Sequence, residues 1–173
     1  MNRIARTLAE EVLQTFGEVR LRAFGTSMVP SILPGDLISI QRAALHDISL
    51  GEVVLFSQGD RLFLHRVVNR HVAQSADSSE SCLITRGDRL CHDDPPICSV
   101  ELLGRVVSIQ RGTQRVKPTL GRGRLRQLLA YVLRASDLAT RLFIHFVVWR
   151  RFVFSERKTA CLVQPRSYGN PQW

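Results

Sequence analysis

The sequence predicts a mainly β protein with a short helix at its N-terminus and a helical extension at its C-terminus. A chain of 173 residues with 45% apolar content is long enough to bury the core of one domain. Between residues 37 and 111, short runs rich in Val, Ile, Leu and Phe alternate with Gly, Pro and Asp, which is typical of strands joined by turns. On both sides of this region, apolar residues recur every three to four positions, which indicates helices.

The N-terminal helix is predicted over residues 2–16, within a unit that spans residues 1–19. Asn2 can cap its first turn, and Gly17 is a typical stop signal. The segment is too short and too charged to cross a bilayer, and no secretory leader is recognised ahead of the β region. The predicted apolar face consists of Ile4, Leu8, Val12 and Phe16.

The β domain is predicted over residues 20–111. A Gln-Gly-Asp sequence at residues 58–60 supplies the chemistry of a hairpin turn. Residues 73–81, AQSADSSES, predict a polar loop, and residues 89–96, RLCHDDPP, predict a second loop closed by two prolines. The five predicted strands are LISIQR (37–42), EVVLFS (52–57), RLFLHRVV (61–68), CLITRG (82–87) and GRVVSIQR (104–111).

A basic region follows the β domain. We divide it into a linker (112–123), a helical segment (124–156) and a tail (157–173). Residues 111–158 hold twelve Lys or Arg against two acidic residues, whereas the rest of the chain is nearly neutral. An anionic partner is therefore expected for this region alone.

Two interpretations of the C-terminal helix stay open. Residues 124–154 can lie on an anionic membrane surface, which predicts a peripheral membrane protein. Alternatively, the helix docks on the β domain or on a partner, and the protein is cytoplasmic. Arg134, Asp137 and Arg141 interrupt the apolar run, so it falls short of the roughly twenty residues that a spanning helix needs. Nucleic acid is disfavoured, because no helix-turn-helix precedes the β domain and few aromatic residues lie among the basic ones.

The cysteines form no CxxC pattern and predict free thiols in a reducing compartment. A zinc site built from Cys91, His92 and Cys98 is an alternative, but its spacing matches none of the usual zinc motifs. We therefore expect neither a metal nor a cofactor. The four cysteines are Cys82, Cys91, Cys98 and Cys161.

The stretch FGTSMVPSILPGDLISIQR, residues 24–42, places a hydroxyl pair, Thr26 and Ser27, directly ahead of a predicted strand. A serine hydroxyl attacks only weakly near neutral pH and needs a base within hydrogen-bond reach. By itself, Ser27 fits ordinary turn chemistry. It becomes a candidate nucleophile only if a base and an orienting group lie on neighbouring elements.

His65 is the candidate base. Strand alternation places it on one face with Phe63 and Val67, so an imidazole stands among apolar side chains. A core histidine satisfied by backbone groups is the alternative. After the next strand, TRGDRLCHDD brings Asp88, Asp93 and Asp94 within seven residues, which fits either a solvated acidic loop or the orienting group of a triad.

Five segments together resemble the ordered motifs of the type I signal peptidases, in the branch found in the endoplasmic reticulum, archaea and some Gram-positive bacteria. They are GTSMVPSILPGD, GEVVLF, LHRVV, TRGDRLCHDD and LLGRVVSIQR, and they cover roughly residues 20–110. In the common bacterial branch the base is a lysine, and His65 falls at that position. The resemblance implies a mainly β fold shared with the self-cleaving repressor proteases.

The resemblance also implies roles for individual residues. Ser27 matches the nucleophile, His65 the general base, Asp94 the acid of the triad and Asp88 a second functionally important acid. The neighbours of the nucleophile are expected to contribute to the oxyanion hole or to substrate binding. Many family members carry a serine at the position of Gly25, so Thr26 or a further backbone N–H would have to replace its hydroxyl. These neighbours are Gly25, Thr26 and Met28.

The expected function is that of a serine endopeptidase that cleaves an extended, signal- or leader-like peptide after small residues. A histidine base suits physiological pH because a typical imidazole is largely neutral there, and a carboxylate fixes its tautomer. The main alternative is a peptide-binding module of the same fold without catalysis. A regulator of the repressor-protease type is a further alternative.

Overall fold

The computed structural model describes residues 3–75, 78–116, 118, 138, 140–143 and 145–146. Contacts divide the chain into two compact units, residues 1–137 and residues 138–173. In the second unit, all the described residues are helical. The remaining residues of the predicted linker, C-terminal helix and tail lie outside the described residues, as do the predicted cap Asn2 and Cys161.

The first unit is built on one antiparallel sheet, which confirms the mainly β prediction. Within the described residues, the sheet has seven strands in the order β1-β2-β6-β3-β4-β5, with β7 paired to β6. A single 3₁₀ turn, Leu45–Asp47, lies between β2 and β3. The strands are β1 (Glu18–Arg22), β2 (Leu37–Gln41), β3 (Val53–Gln58), β4 (Arg61–Ser75), β5 (Ser78–Arg86), β6 (Leu102–Arg111) and β7 (Gln114–Val116).

Strand alternation sends side chains into two separate apolar cores. On β3, Val53 and Leu55 enter the first core, whereas Val54 and Phe56 enter the second. This is the period-two pattern of a strand that is covered on both faces. The first core contains Leu13, Met28, Ile32, Ile38, Ile40, Val53, Leu55, Val106 and Ile109. The second contains Leu45, Ile48, Val54, Phe56, Val67, Leu83, Ile97 and Leu102.

Helix α1 spans Arg3–Phe16 and ends at Gly17, whose φ of 73° is the left-handed conformation that favours glycine. The face predicted to pack is wrong. Ala9 and Leu13 are buried against the sheet, because the small alanine lets the helix approach closely. Of the four residues of the predicted apolar face, Val12 is half-buried, whereas Ile4, Leu8 and Phe16 are 77%, 58% and 76% exposed.

The sheet also extends beyond the predicted strands. The prediction of a polar loop over residues 73–81 is wrong, since β4 runs to Ser75 and β5 begins at Ser78. Backbone pairing continues between these strands to their ends, so polar side chains do not stop the ladder. At the start of the predicted linker, residues 114–116 pair with β6 as β7. Within the described residues, no helix is both long and apolar enough to span a membrane.

Asp36 ties the loop between β1 and β2 to the sheet. Its side chain is fully buried and accepts a hydrogen bond from the backbone N–H of Leu33 (2.9 Å). Arg111, at the end of β6, donates from Nη2 to Asp36 Oδ2 (2.7 Å) and to the carbonyl of Ser31 (3.0 Å). The loop that carries the candidate nucleophile is therefore fixed at its C-terminal end by a charge-assisted contact.

We expect Arg111→Met to lower the free energy of unfolding by about 2 kcal/mol, because the buried carboxylate of Asp36 loses its ionic partner. Urea unfolding of the purified chain measures this. Arg105→Met, on the same strand, is the matched control, since Arg105 faces Glu52 at 3.7 Å in a more exposed pair. That substitution should cost less than about 1 kcal/mol. Equal losses for the two variants would contradict the role assigned to Asp36 and Arg111.

Candidate active site

The candidate nucleophile Ser27 lies in a tight turn between β1 and β2, which we call the serine turn (residues 25–28). Gly25 has a φ of 79°, a conformation that side chains other than glycine rarely adopt. The backbone N–H of Val29 donates to the carbonyl of Thr26 (3.2 Å). Met28 and Val29 are buried, at 4% and 0% exposure, so the turn is anchored to the apolar interior immediately after the serine.

The candidate base His65 lies on β4 where that strand changes neighbours. It pairs with Val54 of β3, and the pairing of β4 with β5 begins one residue later, between Arg66 and Arg86. Residues 87–98, which we call the acid segment, leave the sheet directly after β5. The strand register therefore brings the acid segment beside His65.

Ser27, His65 and Asp94 form one continuous hydrogen-bonded chain. His65 Nε2 lies 3.1 Å from Ser27 Oγ, and His65 Nδ1 lies 2.6 Å from Asp94 Oδ2. With its proton on Nδ1, the imidazole donates to the carboxylate and can accept the proton of the serine hydroxyl at Nε2. This is the arrangement that nucleophilic catalysis by serine requires.

Thr85 holds Asp94 in place through two hydrogen bonds. Thr85, on β5, donates its hydroxyl to Asp94 Oδ2 (2.7 Å), and its carbonyl accepts the backbone N–H of Asp94 (2.8 Å).

His65 is only 4% exposed, and its ring lies 6.1 Å from the rings of both Phe56 and Phe63. The imidazole therefore has apolar neighbours, but both of its ring nitrogens bond to side chains and not to the backbone groups expected for a core histidine.

Asp88 binds Arg66, the residue that follows His65 on β4. Arg66 donates from Nε to Oδ1 and from Nη2 to Oδ2 of Asp88, both at 2.8 Å, and both residues are buried. The same guanidinium donates to the carbonyl of Gly51 (2.7 Å) and to Ser31 Oγ (3.2 Å). The two acids expected at the site thus have different partners: Asp94 orients the imidazole, and Asp88 anchors the acid segment to β4.

Arg89 connects the acid segment to the serine turn. Its backbone N–H donates to the carbonyl of Ser27 (2.8 Å), and its Nη1 donates to Thr26 Oγ1 (2.8 Å). Gly87 lies in close contact with the same turn, because a Cβ there would stand 2.9 Å from the carbonyl oxygen of Ser27. Only glycine therefore allows this approach without a shift of the backbone.

A cavity of about 330 Å³ opens beside Ser27. One wall comes from the end of β1 and the serine turn, including Gly25 and Met28; another comes from β4 over residues 62–65. Most of the lining is aliphatic or aromatic, and Phe24, which contributes to it, is 75% exposed. Of the expected oxyanion and substrate residues, Gly25 and Met28 line the cavity, whereas Thr26 contacts Arg89.

The predicted zinc alternative finds no support in the arrangement of the residues. Among the described residues, no group of three or more His, Cys, Asp and Glu side chains could hold a metal ion. Cys98 lies next to Cys82, with their sulfur atoms 2.8 Å apart, and Cys91 is an exposed free cysteine.

Comparison of the chain with protein-family models and with curated proteins found no match of either kind. Any assignment of function therefore depends on the geometry of the site and on the resemblance described above.

Sequence reasoning missed three residues of this site: Arg66, Thr85 and Arg89. One signal was available for Arg66, since it shares a strand face with Leu62 and Leu64 and a charge on an apolar face needs a partner. No sequence signal marks Thr85 or Arg89, because their contacts depend on how the acid segment folds back.

We expect Asp88→Asn to lower the free energy of unfolding by about 3 kcal/mol, because the buried guanidinium of Arg66 loses its counter-charge. Asp93→Asn is the control in the same segment: the Asp93 carboxylate is half exposed and lies 3.3 Å from Arg86. This control should change stability by less than about 0.5 kcal/mol. Urea denaturation at neutral pH distinguishes the two, and an Asp88→Asn protein as stable as the control would contradict the anchoring role.

Proposed function

We propose that the chain is a serine endopeptidase that resembles the type I signal peptidases with a histidine base. The observation that carries this proposal is the continuous chain of hydrogen bonds from Ser27 Oγ through the His65 ring to Asp94. The three residues come from distant parts of the sequence. Their convergence beside an open apolar cavity is what a hydrolytic site needs.

The proposed reaction has two halves. Ser27 Oγ attacks the scissile carbonyl carbon while His65 Nε2 takes the hydroxyl proton, and Asp94 stabilises the imidazolium that results. His65 then gives this proton to the departing amine, which leaves an acyl-enzyme on Ser27. In the second half, water attacks the ester carbonyl, His65 takes a proton from the water, and the returned proton restores the Ser27 hydroxyl as the peptide acid departs.

Thr26 is the proposed side-chain donor for the oxyanion, together with the backbone N–H of Ser27. Gly25 carries no hydroxyl, so it cannot supply the donor that many family members have at this position. The Thr26 hydroxyl accepts a hydrogen bond from Arg89 and keeps its own proton for donation. The guanidinium makes that hydroxyl a stronger donor, which favours charge development on a nearby oxygen.

The proposed substrate is an extended polypeptide with small residues before the cut, as the resemblance implies. Residues 61–65 of β4 support an extended backbone: among the described strand pairings they pair with β3 alone, since pairing with β5 begins at Arg66. An added strand can use such an open edge for backbone hydrogen bonds. The apolar walls of the cavity, including Met28 and Leu64, suit an uncharged side chain.

Ser27→Ala and His65→Ala should each reduce peptide hydrolysis by about 10⁴-fold or more, because either change removes the proton transfer that activates the nucleophile. A quenched-fluorescent peptide library with alanine before the scissile bond measures hydrolysis. A serine-directed phosphonate probe, followed by peptide mass spectrometry, should place the adduct on Ser27.

Ser49→Ala and His71→Ala are the matched controls, since both residues are exposed and neither contacts the triad. They should retain full hydrolysis. Undiminished hydrolysis by Ser27→Ala would refute the mechanism. Measurable peptide binding with no hydrolysis and no probe adduct in the unmodified protein would favour a peptide-binding module instead.

We further propose that the C-terminal unit places the protein at an anionic membrane surface as a peripheral protein. Leu138, Leu142 and Phe146 are four residues apart on described helical positions and are 68%, 62% and 55% exposed. Such spacing gives one apolar helix face. Arg141 is exposed beside this face, and the surrounding sequence is strongly basic, which is the combination that favours an interfacial helix.

Leu142→Glu should reduce binding to vesicles of phosphatidylglycerol several-fold, because it places a carboxylate within the apolar face and against anionic lipid. Co-sedimentation measures the bound fraction. Val100→Glu is the control, since Val100 is an exposed apolar residue of the first unit. If both variants bind as the unmodified chain does, the lipid interpretation fails and the C-terminal helix has another partner.

A further inference from the structure

Cys82 and Cys98 lie side by side at the far end of the acid segment. Cys82 is buried on β5, and Cys98 follows the two prolines that close the segment. Their sulfur atoms are 2.8 Å apart. Neither residue takes part in the triad, and neither belongs to a metal-binding group among the described residues.

The backbone register places the two cysteines directly opposite each other. Leu83 and Ile97 form an antiparallel bridge in which each backbone N–H donates to the other carbonyl, both at 2.9 Å. The adjacent pair, Cys82 and Cys98, therefore occupies a non-hydrogen-bonded position of the ladder. Cα atoms at such positions are about 4.5 Å apart, which lies within the range that a disulfide can span.

We propose that Cys82 and Cys98 are a disulfide-forming pair that fixes the acid segment to β5 in an oxidising environment. The oxidant is a small-molecule disulfide or the disulfide of a thiol oxidoreductase. One thiolate of the pair attacks the oxidant's disulfide, forms a mixed disulfide and releases one thiol. The second thiolate then attacks the cysteine sulfur of the mixed disulfide. The Cys82–Cys98 bond forms, the oxidant's second sulfur leaves as a thiol, and the oxidant has taken up two electrons and two protons.

The bond would reinforce a segment that has few backbone contacts of its own. Between Asp94 and Ile97 stand Pro95 and Pro96, which have no N–H to donate to a ladder. The backbone bonds of this stretch to β5 are those of Asp94 with Thr85 and of Ile97 with Leu83. A covalent link next to the second bond limits how far this end of the segment, four residues beyond Asp94, can leave the sheet.

Formation of this disulfide does not depend on peptide hydrolysis, so an experiment can disprove either one without the other. The disulfide departs from the expectation of free thiols only for Cys82 and Cys98, and it makes the chain responsive to redox conditions.

Oxidation of the purified full chain with glutathione disulfide, followed by alkylation and tryptic digestion without reduction, tests the link. Peptides 71–86 and 90–105 carry the pair, and the second also contains Cys91. The Cys91→Ser variant therefore removes the ambiguity. We expect these two peptides to be recovered as one species whose mass is two hydrogens below their sum, whereas Cys91 of the unmodified chain is alkylated.

Two measurements on the same chain test the structural consequence. Oxidation should raise the urea midpoint of unfolding by about 1 M, because closing the loop from Cys82 to Cys98 restricts the unfolded chain. It should also slow the exchange of the Asp94 and Ile97 amide protons, followed by NMR. Cys98→Ser is the control, and its midpoint should not respond to oxidant.

Alkylation of Cys82 and Cys98 as complete as that of Cys91 after oxidation would overturn the proposal. So would a linked species that joins Cys91 to either residue. An oxidised chain that is no more stable than the reduced chain, or a Cys98→Ser variant that gains the same stability, would refute the role of the bond in holding the acid segment.

Discussion

The buried ion pair between Arg66 and Asp88 is the constraint on which the candidate site depends. Each partner adjoins a residue that the site requires: Arg66 follows His65, and Asp88 precedes Arg89, whose backbone N–H holds the carbonyl of Ser27. Two parallel hydrogen bonds thus set the distance between β4 and the acid segment. A buried ion pair adds little net stability relative to an apolar pair, so we infer that this one chiefly selects a single arrangement of the segment.

The pairing of the strands determines where the candidate site can form. β4 is long, but in the part of the chain that the structure describes its first five residues pair only with β3, and His65 is the last of them. Immediately beyond, β5 ends and the acid segment leaves the sheet, then returns to pair with β5 through Ile97 and Leu83. The serine turn also lies beside His65. Asp36 and the buried Met28 fix this turn to the sheet and to the first core. A strand edge, a turn and a returning segment therefore converge on one imidazole.

The sequence predicted the elements whose local chemistry is unambiguous. Strands with alternating β-branched and apolar residues, such as 53–58 and 102–111, follow directly from their pattern. Pattern alone did not reveal that β4 continues to Ser75 and that β5 begins at Ser78, because backbone pairing there is independent of side-chain polarity. It also misplaced the buried face of α1, since apolar residues at Leu8 and Leu13 fit two faces equally and only packing against the sheet selects Leu13.

In the candidate site, too, local sequence pattern predicted some features, and only tertiary contacts determined the others. Residue types and order pointed to Ser27, His65 and a following acid, but by themselves they did not distinguish Asp88 from Asp94, since both are carboxylates on one irregular segment; only the resemblance matched Asp94 to the triad acid. The different partners of Asp88 and Asp94 are set by contacts between residues that lie far apart in the sequence. Thr85 receives the backbone N–H of Asp94 and donates its hydroxyl to the carboxylate, so the register of the acid segment on β5 determines which acid faces the imidazole. Because that register is set by backbone bonds and not by flexible side chains, the fold itself holds Ser27, His65 and Asp94 in contact, which is the preorganisation that the proposed catalysis would require.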